Sequence, residues 1–289
     1  MRLKPRAFEY IKATSLQDVF SVLDRHGDEA KILAGGQSLV PALNMRLAAP
    51  EIVVDVNAVE ALRGIAVVGD SLRIGAMSRY VEIAASELVA RHAPLIASAI
   101  PFIAHAAIRN RGTFGGSLCN ADPASELPAC ALALRAVFNL AGSAGERAVA
   151  AEDFFLGTYT TALEPTEVLT SVDIPLAMDG TVSYFDEVAR RRGDYAMAGL
   201  AACAERRGGT LADVRLVFFA VSDMPHLAAG AMAAADGQAV AGLDIEAVCA
   251  ALGADFTPQE DLTTSAATKL QLMKVLTRRA LTAFAGGEA

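Results

Sequence analysis

The sequence is organised around one eight-residue segment, Ile32-Leu33-Ala34-Gly35-Gly36-Gln37-Ser38-Leu39. An apolar run that favours a strand leads into the glycine pair, and polar side chains then precede a helical pattern. Paired glycines let backbone N–H groups converge without a Cβ in the way, which creates a concave site for an anion such as a pyrophosphate. Ser38 and the following helix N-terminus would add donors and a favourable dipole. The alternative is an ordinary glycine turn, because such turns are common.

The residues on either side of this segment predict a small βαβ-type unit. Phe8–Ile11 and Glu51–Val56 favour strands, and Ser15 can cap a helix that continues through Arg25. Pro41–Leu47 is expected to form a short helix after the glycine pair. The unit matches neither GxGxxG nor GxxxxGK[ST], so an ordinary dinucleotide-binding or P-loop site is not expected.

A second glycine-rich segment, Gly112–Asn120, is expected to form a loop. Its glycines and hydroxyl side chains again offer donors around a site of close approach. The residues concerned are Thr113, Gly115, Gly116 and Ser117. A polar surface loop is the alternative interpretation. Two such loops together suggest a cleft that grips an extended, diphosphate-containing ligand from both sides, and FAD is such a ligand.

Asp122 follows the second segment and precedes Pro123, the order expected for the N-cap and first turn of a helix to about Leu134. An N-cap is the first interpretation of Asp122, and a cofactor contact is the second. The other patterns up to residue 176 are a hairpin of Ile65–Val68 and Leu72–Ile74, helices between Tyr80 and Ile108, and strands near Ala136–Leu140 and Val168–Ile174.

After Pro175 the pattern changes from mixed elements to strands followed by helices, which is typical of a small α+β domain. The predicted strands are Val182–Val188, Gly199–Glu205 and Val214–Val221, and the predicted helices are Ala228–Ala235, Ile245–Leu252 and Thr264–Phe284. The expected divisions are therefore residues 1–57, 58–176 and 177–289.

Composition excludes several classes of function. The net charge of −8 argues against a nucleic-acid partner, which would require a basic face. Four scattered cysteines without a CxxC pair suit a reducing compartment and give no zinc or iron–sulfur spacing. Neither a transmembrane segment nor a signal peptide is expected, because no apolar run approaches the length of roughly 18 residues that a span needs.

Three segments resemble the FAD-binding medium subunits of molybdenum hydroxylases, the family of xanthine dehydrogenase and aerobic carbon monoxide dehydrogenase. They are Ala34–Leu39, Thr113–Ser117 and the run Arg190-Arg191-Arg192-Gly193-Asp194-Tyr195-Ala196. Their order and spacing fit over the full chain. The resemblance implies an α+β fold: a split two-subdomain FAD-binding module of the vanillyl-alcohol-oxidase (PCMH-like) type, then a small C-terminal domain of an antiparallel sheet plus helices.

The resemblance also implies how FAD would be held. The first glycine segment would wrap the pyrophosphate, Glu126 would accept from ribityl hydroxyls, and Ile103 would lie near the cofactor. Leu169 would contact the adenine, and Tyr195 would place its ring against the isoalloxazine. The implied cofactor-binding residues are Ile32, Leu33, Ala34, Gly35, Gly36, Gln37, Ser38, Leu39, Ile103, Thr113, Gly115, Gly116, Ser117, Asp122, Glu126, Leu169 and Tyr195.

The sequence departs from parts of the family pattern. Glu187 stands where the xanthine dehydrogenase branch has a lysine near the flavin, so that cation is not expected here. Neither Cys nor His falls among the glycine-loop residues that would touch the cofactor, so FAD is expected to be non-covalent. No residue is expected to act as a catalytic acid or base, and no metal site is expected on this chain.

The resemblance implies an electron-transfer subunit of a cytoplasmic complex. A large subunit with a molybdopterin cofactor would oxidise the substrate, and a small subunit with two [2Fe–2S] clusters would relay electrons to this chain's FAD. The assembly would be a dimer of heterotrimers. The substrate (N-heterocycle, purine, aldehyde or carbon monoxide) and the final acceptor (NAD⁺, O₂, a quinone or a carrier protein) stay open. The alternatives are a stand-alone flavoenzyme of the same fold superfamily and a scaffold that has lost its flavin.

Overall fold

Three main β-sheets follow one another along the chain in the computed structural model, which describes residues 4–286. The first has three parallel strands in the order β1-β3-β2, joined by two helices. Its elements are β1 (Glu9–Lys12), α1 (Leu16–His26), β2 (Ala30–Leu33), α2 (Leu39–Met45) and β3 (Ile52–Asp55). The predicted βαβ-type unit is thereby confirmed.

The start of α1 is fixed by a reciprocal cap. The Ser15 side chain accepts from the Asp18 backbone N–H at 3.2 Å, and the Asp18 carboxylate accepts from the Ser15 N–H at 3.0 Å. These bonds satisfy two donors that helix geometry leaves open, so the helix begins where the sequence predicts. Val19 and Leu23 then bury one face of α1 on the sheet.

The second sheet is antiparallel, with the strand order β4-β5-β10-β6-β7. Its strands are β4 (Ile65–Val68), β5 (Ser71–Gly75), β6 (Val137–Gly142), β7 (Gly145–Ala150) and β10 (Val168–Pro175), with a small hairpin of β8 (Phe155–Gly157) and β9 (Thr160–Thr161). Its helices are α3 (Tyr80–Ala84), α4 (Glu87–His92), α5 (Pro94–Ala99), α6 (Ala106–Arg109), α7 (Phe114–Asn120), α8 (Glu126–Ala133) and α9 (Ala151–Phe154).

The second glycine segment is a helix and not the predicted loop. Thr113 caps α7 by accepting from the Gly116 N–H at 3.2 Å. A Cβ on Gly115 would lie 2.6 Å from the Ala76 Cβ, so this glycine lets α7 pack directly on the chain that follows β5. The glycines that indicated a loop therefore serve close packing.

Asp122 is likewise not a helix N-cap. The helix α8 begins at Glu126, after Ser125. Ala121 ends α7 in the left-handed region, at φ 44°, and the Asp122 carboxylate accepts from the Ala124 N–H at 3.0 Å. Asp122 thus closes the turn between two helices, because three residues separate it from the first helical position.

The third sheet is antiparallel, in the order β11-β12-β13-β14, and carries helices on one face. Its elements are β11 (Thr181–Val188), β12 (Ala198–Arg207), β13 (Thr210–Phe219), β14 (His226–Leu227), α10 (Ala229–Ala235), α11 (Ile245–Asp255) and α12 (Ala266–Ala285). This is the predicted order of strands first and helices after. Within residues 4–286, no helix is both long and apolar enough to cross a membrane.

The third sheet shares a hydrophobic core with the second part of the chain. Leu216 and Phe218 face the helices of the third part, whereas Val217 and Phe219 face the other way and join the core of the five-stranded sheet. Phe185 joins them and stacks on Phe219, with ring centroids 5.8 Å apart. The two parts are consequently held together by buried apolar area.

We expect Gly199→Ala to destabilise the protein by about 1–3 kcal/mol, because the added Cβ would overlap the Phe219 ring in this shared core. Urea unfolding should show a lower midpoint at an unchanged slope. Gly253→Ala is the matched control, since Gly253 lies in α11 with open space around it, and it should be neutral or stabilising by up to ~1 kcal/mol. Equal midpoints for the two variants would contradict this account.

Candidate functional site

The two glycine segments touch each other. A Cβ on Gly35 would overlap the carbonyl oxygen of Arg111, and it would lie 2.9 Å from the Cα of Gly112. A Cβ on Gly116 would lie 3.6 Å from the Ala34 Cβ. The turn after β2 is therefore in van der Waals contact with the residues at the start of α7. The two segments are adjacent, as expected if they line one ligand site.

The first segment has free backbone donors. Among residues 4–286, the N–H groups of Gly35, Gly36, Gln37 and Ser38 have no acceptor within hydrogen-bonding distance. The Gly36 φ of +74° turns the chain at the centre of this run, and the Gln37 side chain donates back to the Gly35 carbonyl at 2.9 Å. Consecutive N–H groups in such a turn form an anion-binding concavity.

The second segment uses its backbone donors internally. The Phe114 N–H donates to the Ser78 carbonyl at 2.9 Å, and the Gly115 N–H donates to the Ala76 carbonyl at 2.8 Å. The Ser117 N–H donates to the Thr113 carbonyl at 3.2 Å. These backbone donors are thus engaged in the fold, and because Thr113 is buried and caps α7, the half-buried Ser117 hydroxyl is the group that this segment can offer a ligand.

Asn57 links the two segments through its side chain. Its Nδ2 donates to the Ala34 carbonyl at 2.9 Å, and its Oδ1 accepts from the Arg79 guanidinium at 2.6 Å. Arg79 also donates to the Arg111 carbonyl, and Arg63 donates to the Asn57 carbonyl at 2.9 Å. Burial, followed by the neighbouring Arg111 and Arg63, lowers the pKa of Arg79. The sequence analysis did not single out this clamp of Asn57 and Arg79.

A carboxylate with two tyrosines lies after α7. The Tyr159 hydroxyl donates to Asp122 at 3.2 Å, and Asp122 is only 9% exposed. Burial, followed by Asp122 and Tyr195, raises the pKa of Tyr159 to about 12. Tyr195 is 74% exposed, and its pKa is raised by burial of the hydroxyl and by Asp122 and Glu126. Tyr195, which the sequence predicts at the site, thus has an aromatic neighbour in Tyr159, and the sequence did not indicate Tyr159.

A cavity of about 660 Å³ opens beside this carboxylate and reaches into the third part of the chain. Asp122 and Tyr195 line it, together with residues of the 220–223 and 259–263 turns. Lys269 lies in its wall, buried, and donates to the Ala220 carbonyl at 2.8 Å. An aromatic ring system could enter here between largely apolar walls.

The remaining predicted residues have different surroundings. Glu126, the first residue of α8, is half-buried, and burial followed by the charge of Asp122 raises the pKa of its carboxyl to about 7. Ile103 is 6% exposed, and its carbonyl accepts from Arg109 at 2.9 Å. Leu169 lies inside the core on β10 and is 2% exposed, so it has little surface left for a ligand.

The structure therefore brings most of the predicted residues into two neighbouring groups. One is the contact between the glycine segments, and the other is the acidic and aromatic group around Asp122. The short segment from Phe114 to Ala121 connects them. Nothing local in the sequence marks Asn57, Arg79 or Tyr159, because the hydrogen bonds that tie them to the site span 22 to 37 residues.

Comparisons with known proteins agree with this geometry. Residues 6–177 match the family described as "FAD binding domain in molybdopterin dehydrogenase". Residues 183–284 match the family described as "CO dehydrogenase flavoprotein C-terminal domain". Together the two matches cover nearly the whole chain.

Individual relatives match over the full length. The medium chain of carbon monoxide dehydrogenase from Hydrogenophaga pseudoflava is 36% identical over 279 residues, 96% of this chain and 97% of that protein. The medium chain of glyceraldehyde dehydrogenase from Sulfolobus acidocaldarius is 33% identical over 276 residues, 96% and 98% of the two chains. A solved structure of Hydrogenophaga pseudoflava carbon monoxide dehydrogenase, lacking the Mo-pyranopterin moiety of its molybdenum cofactor, superposes with a TM-score of 0.94 at 36% identity and covers 99% of each chain.

We expect Asn57→Ala to weaken FAD binding about ten-fold, equivalent to ~1.4 kcal/mol, because two hydrogen bonds that hold the glycine segments together are lost. Flavin fluorescence during titration of the flavin-free protein would measure the Kd. Asn44→Ala is the control, since Asn44 is exposed on α2. Identical Kd values for the wild type and Asn57→Ala would exclude the clamp as a determinant of binding.

Proposed function

Because this chain belongs to the family of FAD-binding medium subunits of molybdenum hydroxylases, we propose that its FAD accepts electrons from the [2Fe–2S] clusters of a small partner subunit and passes them to an external acceptor. One observation carries the proposal: within residues 4–286, four consecutive N–H groups from Gly35 to Ser38 have no acceptor, and Gly35 lies in contact with the second glycine segment. A diphosphate is the group in FAD that such donors recognise.

The residues present fit FAD at the diphosphate, the ribityl chain and the ring. The first segment would hold the diphosphate, and the Ser117 hydroxyl would face it from α7, whose first turn Thr113 caps. Glu126 would accept from ribityl hydroxyls, Asp122 would lie beside it, and Tyr195 would cover the ring. The proposed binding residues remain Ile32, Leu33, Ala34, Gly35, Gly36, Gln37, Ser38, Leu39, Ile103, Thr113, Gly115, Gly116, Ser117, Asp122, Glu126, Leu169 and Tyr195.

Bound flavin supplies one- and two-electron chemistry, and the protein positions the ring and tunes its potential. Covalent attachment is not part of the proposal. Cys119, the cysteine on α7, is a poor nucleophile because burial raises the pKa of its thiol to about 12.

The proposed assembly is a dimer of heterotrimers in the cytoplasm, with molybdopterin on the large subunit. In this chain, we propose that residues 1–57 and 58–176 form the two FAD-binding subdomains and 177–289 the C-terminal domain. Relatives with the same fold are named for carbon monoxide and for glyceraldehyde. The same fold thus occurs in medium chains of enzymes with different substrates, which supports substrate selection by the large subunit. It also favours the interpretation of this chain as a subunit of a complex over that of a stand-alone flavoenzyme.

The purified chain should carry one non-covalent FAD. Acid precipitation of the holoprotein is expected to leave the yellow chromophore in the supernatant, because no bond ties it to the chain, and chromatography should identify it as FAD. Flavin that stays in the pellet, or FMN in the supernatant, would contradict the proposed mode of binding.

The FAD-loaded chain alone should not oxidise the organic substrate. In the part of the chain that the structure describes, no group of His, Cys, Asp or Glu side chains is arranged to hold a metal ion. Mixed anaerobically with carbon monoxide, aldehydes, purines or N-heterocycles, the flavin should stay oxidised, whereas dithionite should bleach it as a control. Rapid bleaching by one of these substrates without partners would instead indicate a stand-alone oxidase.

A further inference from the structure

Glu187 lies on the face of the third sheet that points toward the FAD-binding part of the chain. Side chains alternate along β11, and Tyr184 and Val188 pack on the helices of the third part. Phe185 and Glu187 therefore face the opposite side, where Phe185 meets Phe102 with ring centroids 5.2 Å apart. In the register with β12, Glu187 is opposite Gly199, over which the Phe219 ring lies.

The Glu187 carboxyl has no partner in these surroundings. Its Oε2 is buried and, within residues 4–286, makes no hydrogen bond and belongs to no ion pair. A buried ionised carboxylate without a partner costs much more free energy than a neutral carboxylic acid in the same place. The geometry alone therefore favours the protonated form.

The charged neighbours on the packed elements favour the same form. Glu126 at the start of α8 is the acidic group that faces Glu187 from another element. Asp186, on its own strand, turns away and is bound to Arg279 of α12 at 2.7 Å. On β12 the Cys203 thiol donates to the Ala133 carbonyl at 3.2 Å, and α5 carries no titratable side chain. Burial, then Glu126, then Asp186 raise the pKa of Glu187 to about 8.

Glu187 is electrostatically connected to the proposed flavin cavity. It interacts with Glu126, Glu126 interacts with Asp122, and both of these carboxylates interact with Tyr195. Asp122 and Tyr195 line the 660 Å³ cavity. These side chains therefore form one electrostatically interacting group beside the cavity. A negative charge placed in the cavity would raise the proton affinity of this group, which includes Glu187.

We propose that the Glu187 carboxyl takes up a proton when the flavin is reduced and releases it when the flavin is reoxidised, without contacting the flavin itself. This rests on the proposed binding of FAD. Two electrons from the partner and one solvent proton reach the flavin and leave it with one negative charge. A second solvent proton converts the Glu187 carboxylate to the carboxylic acid by forming one O–H bond, and no bond of the chain breaks. At an effective dielectric constant of about 20, a nearby unit charge changes proton affinity roughly ten-fold or more.

The first test does not require flavin. The pKa of Glu187 is higher in the folded chain than its ordinary value of 4.5, so unfolding releases a proton between about pH 4.5 and 8 and wild-type stability falls as the pH rises through that window. Glu187→Gln lacks this proton. Its urea midpoint should therefore rise relative to wild type from pH 5 to 8 and then level off. A difference that does not change with pH would overturn the assignment of a neutral Glu187.

The second test counts protons. After FAD occupancy has been measured, the holoproteins are photoreduced anaerobically in weak buffer with a pH indicator, between pH 8 and 9. Wild type should take up as much as one proton more per two electrons than Glu187→Gln, and Glu164→Gln, at an exposed glutamate, should match wild type. Equal uptake by wild type and Glu187→Gln at full occupancy would overturn the coupling. A lack of bound FAD would instead contradict the proposed function.

Discussion

The site depends on the close approach of two backbone segments. Gly35 lies against the Arg111–Gly112 peptide with no room for a Cβ, and this contact fixes the distance between the parallel sheet and the helix α7. Because the clamp of Asn57 and Arg79 holds the same pair of segments, the free N–H groups keep one orientation. Preorganised donors lower the cost of ordering the site when an anion binds.

The sequence was sufficient for the elements whose signals are local. The cap at Ser15, the strands after residue 181 and the parallel unit around the first glycine pair all depend on residues a few positions apart. The second glycine segment was predicted wrongly as a loop. Its glycines are needed because Ala76 and Tyr80, which lie more than 30 residues earlier, pack where their Cβ atoms would be. Composition cannot distinguish a glycine that turns the chain from one that admits a neighbour.

The same limit explains the residues that sequence analysis missed. Asn57 follows a strand and resembles any polar residue at a strand end, and its role appears only when Ala34 and Arg79 approach it in space. Tyr159 lies in the loop of a two-stranded hairpin, and its bond to Asp122 spans 37 residues. The family resemblance supplied the candidate FAD residues, whereas the structure supplied the contacts that would hold them in place.

The three parts of the chain are joined by interfaces of different size, and this difference has a consequence for cofactor loading. The third sheet shares a large core with the second part through Phe185, Val217 and Phe219, so separating them would expose much apolar surface. The first part has its own smaller core, which Val59, Leu62, Met77 and Val168 extend into the second part. It also meets the second part at the Gly35 contact, at the polar clamp and through the hydrogen bond from Ser143 to Asp24. A newly made chain can therefore open at least cost between its first and second parts. The N–H groups proposed to bind the diphosphate lie at that boundary, so a cofactor that enters there separates fewer apolar contacts than one that enters between the second and third parts.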